Sequence, residues 1–171
     1  MQVSAAPSPS ATVTRPAVRV AVVIDREANP NQWEAWRFRV VDVVPHEDAF
    51  GVVPRVLRDD GSLQRTLYPN FQLELFRDEA EGYHLNLTSG APVWFVMWRI
   101  DDEDPSRAWA QTVSLSYNEA GRWLDAQERI DNVPLAGELV AWLQAYTDEH
   151  YRPEPKKRRR PQSFLPPEQR R

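Results

Sequence analysis

The side chains that could exchange protons or attack a carbonyl are few in this chain, and they stand apart from one another. The histidines are His46, His84 and His150. Cysteine is absent, which removes thiol nucleophiles, thiolate zinc sites, cysteine-ligated iron–sulfur clusters and disulfides together. Nucleophilic catalysis then needs a histidine turned toward a serine or threonine. His84, given a carboxylate neighbour, has the chemistry of a general base. The alternation around it places it on the Asn86 face of a strand, where an ordinary exposed histidine is expected. His46 opens the triplet His46-Glu47-Asp48, but adjacent residues seldom converge on one ion without ligands from elsewhere. The run Asp101, Asp102, Glu103, Asp104 lacks the alternate spacing and later glutamate of a calcium loop, so it reads as a solvated turn before Pro105. No catalytic residue and no metal or cofactor site is expected.

Phosphate cradles are excluded by spacing. The glycines stand at 51, 61, 82, 90, 121 and 137, whereas a phosphate loop needs glycines close together so that backbone amides can approach the anion. Trp94 and Trp98, four residues apart on one strand face, have the spacing of a base-stacking platform. No cations interleave with them, and a hydrophobic core accounts for them more simply.

The strongest charge signal is Lys156, Lys157, Arg158, Arg159 and Arg160, bracketed by prolines. Residues 151–171 carry eight cations against Glu154 and Glu168, a net of +6, while the remainder carries a net of −10. An acidic body therefore bears a basic arm. As a nucleic-acid contact the arm would gain from counterion release, but the body would repel the same phosphates. A nuclear address is a further pattern match. A tethered cationic arm, which reaches an acidic protein surface or simply keeps the chain soluble, fits the charge separation best.

These residues must be positioned by an ordinary globular core. A chain of 171 residues with seven Trp, five Tyr and six Phe can bury one without staples. Residues 1–16, rich in Ala, Ser, Thr and Pro, are expected to be a disordered tail; 17–151 one domain; 152–171 a basic tail. Neither a signal sequence nor a long apolar span is evident, so a soluble, cytoplasmic protein without membrane contact is expected.

Strands are expected at "AVRVAVVID", at "WRFRVVDVVP" with a bulge or a strand end near Asp42 where the phase slips, and around Asp60-Gly61 as a tight hairpin. A second hairpin is expected from "FQLELFRDEAEGYHLNLT", with Tyr83, Leu85 and Leu87 on one face. "PVWFVMWRI" reads as a central strand. "AWAQTVSLSY" alternates through Trp109, Val113, Leu115 and Tyr117. The period then changes to that of a helix. Ser116 to Glu119 is a capping box for a short helix reaching about Arg129, and a second helix is expected to start near Pro134, with Leu135, Leu139, Trp142, Leu143 and Tyr146 as its apolar face. The expected class is α+β: a mostly antiparallel sheet or partly closed barrel of about seven strands, followed by two C-terminal helices.

Several segments, "YHLNLTSGAPVWFVMWR", "NEAGRWLDAQERIDNVPL" and "AWLQAYTDEHY" with the basic run after it, resemble a bacterial family known as a domain of unknown function. The pattern matches at Tyr83, Asn86, Leu87, Ser89, Gly90, Trp94, Glu119, Ala120, Asp125, Val133, Pro134, Trp142 and Lys156–Arg160, over roughly residues 18–160. Most of these are residue types with structural roles; the five cations are the candidates for partner binding. The chain departs from the family at Leu135-Ala136, and at Pro153-Glu154-Pro155, where an aromatic usually precedes the cations. Genes of the family commonly lie beside those of formate dehydrogenases and their maturation factors. The resemblance thus implies a non-catalytic accessory or assembly protein of a molybdenum or tungsten enzyme, with formate dehydrogenase or a maturation factor as partner. Two alternatives are a nucleic-acid-binding regulator using the arm and a molybdopterin-related nucleotidyltransferase, the second disfavoured by the missing phosphate loop.

Overall fold

A computed structural model of the chain describes residues 14–28 and 33–155. The expected tail 1–16 therefore lies outside the described residues except for Thr14–Pro16, and so does the run Lys156–Arg160. Pro16 is already tied down, since its carbonyl accepts from the Leu75 amide.

Seven strands form two antiparallel sheets that do not close into a barrel. The first has the order β2-β1-β4-β3, with β1 at Ala17–Ala28, β2 at Trp36–Pro45, β3 at Arg55–Asp59 and β4 at Leu63–Glu74. The second has the order β6-β5-β7, with β5 at Val93–Ile100, β6 at Ala108–Ser114 and β7 at Arg129–Pro134. Their facing sides interdigitate Val20, Val22, Ile24 and Leu73 with Trp94, Val96, Val113 and Leu115, so apolar area leaves water between the layers. Trp94 and Trp98 are core residues, at 1% and 8% exposure. β5 is central in its sheet, as its two-sided apolar sequence requires.

The bulge forms beside Asp42. Pairing steps from Val23↔Asp42 to Ile24↔Val40, leaving Val41 as the extra residue. A second bulge, at Gln111 between Met97↔Thr112 and Trp98↔Ala110, corrects the reading of β6. Val113 and Leu115 face the core, but Trp109 is turned outward at 36% exposure, because an extra residue flips the side-chain phase. The hairpin between β3 and β4 turns at Asp60-Gly61-Ser62; only Gly61 takes a positive φ, of 83°, while the Asp60 carboxylate accepts from the Ser62 and Leu63 amides.

The helices depart most from expectation. Of the segment read as a second hairpin, Phe71–Glu74 ends β4 and the second half is a helix, α1 (Ala80–Leu87). Its buried residues are Ala80, Gly82, Tyr83 and Asn86, a helical spacing, whereas Leu85 is 37% exposed. Tyr83 and Leu87, four apart, fit both periods and only Leu85 favours a strand, so a short run does not separate them. α2 (Tyr117–Asp125) starts at the predicted cap, where the Ser116 hydroxyl accepts from the Glu119 amide at 3.1 Å. It stops before Arg129, because Gln127 adopts φ 63° and the Glu128 amide returns to the Trp123 carbonyl, a left-handed helix ending. The chain then enters β7, a strand the sequence reading omitted. Pro134 closes that strand, opposite Val93, at a sheet edge where its missing donor is tolerated. The last helix, α3 (Gly137–His150), therefore begins three residues later than expected. It buries Leu143 and Tyr146, with Leu135, Leu139 and Trp142 packed against the core.

Candidate functional site

Two places gather the residues singled out by sequence: a polar seam where α1 meets α2, and the corner where the chain leaves α3.

At the seam, Asn86 is buried and its amide is fully used. It donates to the Val93 and Leu115 carbonyls, both at 2.9 Å, and accepts from the Val93 amide at 3.0 Å. Its side chain thereby joins α1 to the entry of β5 and the exit of β6. Ser89 donates to the Asn86 carbonyl at 2.7 Å, and Gly90 takes φ 88°, so both shape the turn into β5. Beside them, Ser114 donates to Glu119 at 2.7 Å and accepts from the Ser116 amide at 3.0 Å. The Ser116 hydroxyl donates to Glu79, which also receives Arg122. Glu119 thus completes its capping box through Ser114 instead of the Ser116 amide. Every hydroxyl here has both a donor and an acceptor role filled, which is how a buried polar network rigidifies a core.

Gly82 is required by this seam. A Cβ built there would lie 2.0 Å from the Ser116 hydroxyl oxygen and 3.2 Å from the Asn118 amide nitrogen. Tyr83, next to it, accepts from the Phe76 amide at 3.1 Å, and burial pushes its phenol above the ordinary tyrosine range.

The exit corner holds two of the histidines. The His84 ring stacks on Tyr151, with centroids 4.3 Å apart and an interplanar angle of 20°. His150 lies against Tyr146 at 4.4 Å, and Tyr146 meets Tyr83 edge-on at 6.0 Å. His84 is therefore on a helix rather than a strand, and its face is covered by an aromatic ring. The Arg77, His150 and Arg152 side chains line a shallow depression here together with Glu81 and Glu154.

The remaining candidates are separate from both places. His46 lies 3.5 Å from Asp48 and edge-on to Phe50. Among the described residues no group of three His, Asp or Glu converges for a metal ion. Asp101 accepts from the Glu103 amide at 2.9 Å, and Asp104 accepts from Ser106 at 2.6 Å, so the acidic run builds its own turn; the Ser106 bonds hold the Asp104 carboxyl below the usual range. Asp125 and Pro134 are exposed and Trp142 half-buried. Sequence reasoning missed the pair of buried Asp25 with half-exposed Arg65, bonded through both oxygens at 2.7 and 2.8 Å. Its one sequence signal is the carboxylate that interrupts the apolar run of β1.

Over residues 19–160 the chain matches the family described as Protein of unknown function (DUF3305). The chain belongs to that family. The matched region runs from β1 through the exit corner and includes Lys156–Arg160. Comparison with curated proteins and with solved structures finds no match. Among the described residues, no helix is long and apolar enough to cross a membrane.

Proposed function

We propose that this DUF3305 protein is a non-catalytic accessory protein that holds an acidic partner through the cations Lys156–Arg160, with formate dehydrogenase maturation as its setting. The observation that carries the reading is the stacked exit corner. His84 and Tyr151, at 4.3 Å, hold the chain at the end of α3, shortly before the cations in sequence, and the family match continues through Arg160. A charge cluster that served solubility alone would need no fixed origin. The +6 of residues 151–171 against −10 elsewhere favours an acidic protein surface over nucleic acid, since the body repels phosphates. The setting itself rests on the family resemblance.

The test is co-purification from cells grown on formate, comparing the full chain with a variant carrying alanine at all five positions from Lys156 to Arg160. The expected result is retention of formate dehydrogenase or a maturation factor by the parent chain and its loss from the variant, with reduced formate dehydrogenase activity. Unchanged co-purification and activity would remove the arm from the function. Salt-sensitive retention of the parent chain on DNA, with no protein partner, would favour the regulator instead.

A further inference from the structure

A cleft of about 740 Å³ opens between α2, β7 and the edge strand β2, on the side of α2 away from the seam. Its volume is that of pockets that take small organic molecules. The apolar walls are Val41, Phe95, Tyr117, Leu124 and Ile130. Three features of these walls point to an occupant.

The first is the stripe on α2. Tyr117, Ala120, Gly121 and Leu124 follow at helical spacing, the pattern of a face meant for burial. Only Ala120 is buried; Tyr117 and Leu124 remain 55% and 60% exposed. Phe95 meets Tyr117 edge-on, with centroids at 6.4 Å, so this wall is held in place rather than frayed.

The second is Gly121. Glycine is among the poorest residues inside a helix, and a Cβ at this position would meet no atom within 4 Å. Nothing among the described residues requires its absence. Glycine's remaining use is to let another group approach the backbone closely.

The third is Arg39, at the rim. Its cross-strand neighbour is Asp25, but both Asp25 oxygens are taken by Arg65. The carboxylate inside the cleft, Asp131, accepts from the Val40 amide at 2.9 Å. Among the described residues Arg39 forms no ion pair, and a guanidinium offers a fork suited to a carboxylate, sulfonate or phosphate.

We propose that the cleft binds a small organic anion with a flat apolar body. The body lies over Gly121 between the Tyr117 and Leu124 side chains, and the anionic group meets Arg39. The lining residues do not include Lys156–Arg160, so the alanine variant of those five cations and the variants of the cleft test the two readings separately.

Two dyes of nearly the same shape test the idea on the full chain: anilinonaphthalene sulfonate, an anion, and N-phenyl-1-naphthylamine, its uncharged counterpart. Fluorescence titration is expected to show one saturable site per chain. Arg39→Gln weakens the sulfonate dye by about tenfold, an effect of the size of one charge-assisted hydrogen bond, and leaves the neutral dye within about twofold. Gly121→Ala weakens both dyes by about tenfold or more while the melting temperature rises, which separates a blocked site from a damaged fold. Equal affinity of the sulfonate dye for the parent chain and Arg39→Gln would overturn the anion. Equal affinity of both dyes for the parent chain and Gly121→Ala would overturn the location. A parent chain that sediments as a dimer and becomes monomeric on Gly121→Ala would make a second copy the occupant, and the proposal would fall.

Discussion

Gly82 and Gly121 both sit inside helices at the α1–α2 corner, and their surroundings are opposite. At Gly82 a methyl group would collide with the hydroxyl that caps α2; at Gly121 it would meet empty space. The first glycine is explained by the chain itself, because α1 must approach the start of α2 closely enough for Glu79 to reach Ser116. The second has no such account within the fold. The contrast extends to the residues around them: polar groups are buried and fully bonded on the Gly82 side, while apolar side chains stay exposed on the Gly121 side. α2 is thus locked along one flank and open along the other, and two apparently equal glycines record a structural constraint and an open binding surface.

The largest expected effect comes from breaking the locked flank. Gly82→Ala forces its new methyl group against Ser116 and the adjacent backbone, combining overpacking with a damaged helix cap. These add up to about 3 kcal/mol, or a fall in Tm of about 10 °C for a chain of this size. The double variant Gly82→Ala with Ser116→Ala removes the colliding oxygen, so its cost is expected to be less than the sum of the two single changes. Strict additivity in thermal unfolding would mean that the seam is looser than described here.

A smaller effect tests whether the same flank excludes water. Burial raises the Tyr83 pKa in the folded state, with the Phe76 amide acting against it. In the unfolded chain the phenol ionises near its ordinary value of about 10. A folded pKa above the unfolded one contributes stability that is complete below about pH 10 and is lost as pH rises through it. Stability should therefore begin to fall near pH 10 and keep falling as the pH rises further. Tyr83→Phe is expected to be less stable at neutral pH by about 1 kcal/mol, for the lost hydrogen bond, yet to show a shallower alkaline decline. Some decline persists, since Tyr68 and Tyr146 are also pushed up by burial. Parallel alkaline profiles for parent and variant would place Tyr83 in contact with solvent.

What was legible in the sequence follows the range of the interactions. The cap at Ser116, the turn at Gly61, the bulge beside Asp42 and the two-sided apolar strand β5 are set by residues within a few positions of each other, and each appears where the pattern puts it. α1 was hidden because the groups that hold it are distant in sequence: Asn86 bonds to Leu115, 29 residues away, and Gly82 faces Ser116. A helix buried through a glycine, an alanine and an asparagine carries a weak apolar stripe, and the Tyr83-Leu85-Leu87 alternation overrode it. The exit corner was half legible. The cations were plain, while the stack before them joins His84 of α1 to Tyr151 just past α3, 67 residues apart in sequence. The cleft draws on β2, β5, α2 and β7, so no local pattern could reveal it. Its one trace was a glycine in the middle of the helical segment "YNEAGRWLD".

That glycine supplies the smallest and most discriminating test of the contrast. Because a Cβ at position 121 has room, Gly121→Ala should act only through helix propensity and the entropy of the unfolded chain, which favour alanine by about 0.5 to 1 kcal/mol. Tm should rise by about 2 to 4 °C, the reverse of the change at position 82. Natural chains commonly leave such stabilising changes unused, so the rise in Tm gains its meaning from the loss of dye binding expected in the same variant. A fall in Tm on Gly121→Ala would show that the helix backbone there is packed against something within the chain, and the two flanks of α2 would then be alike.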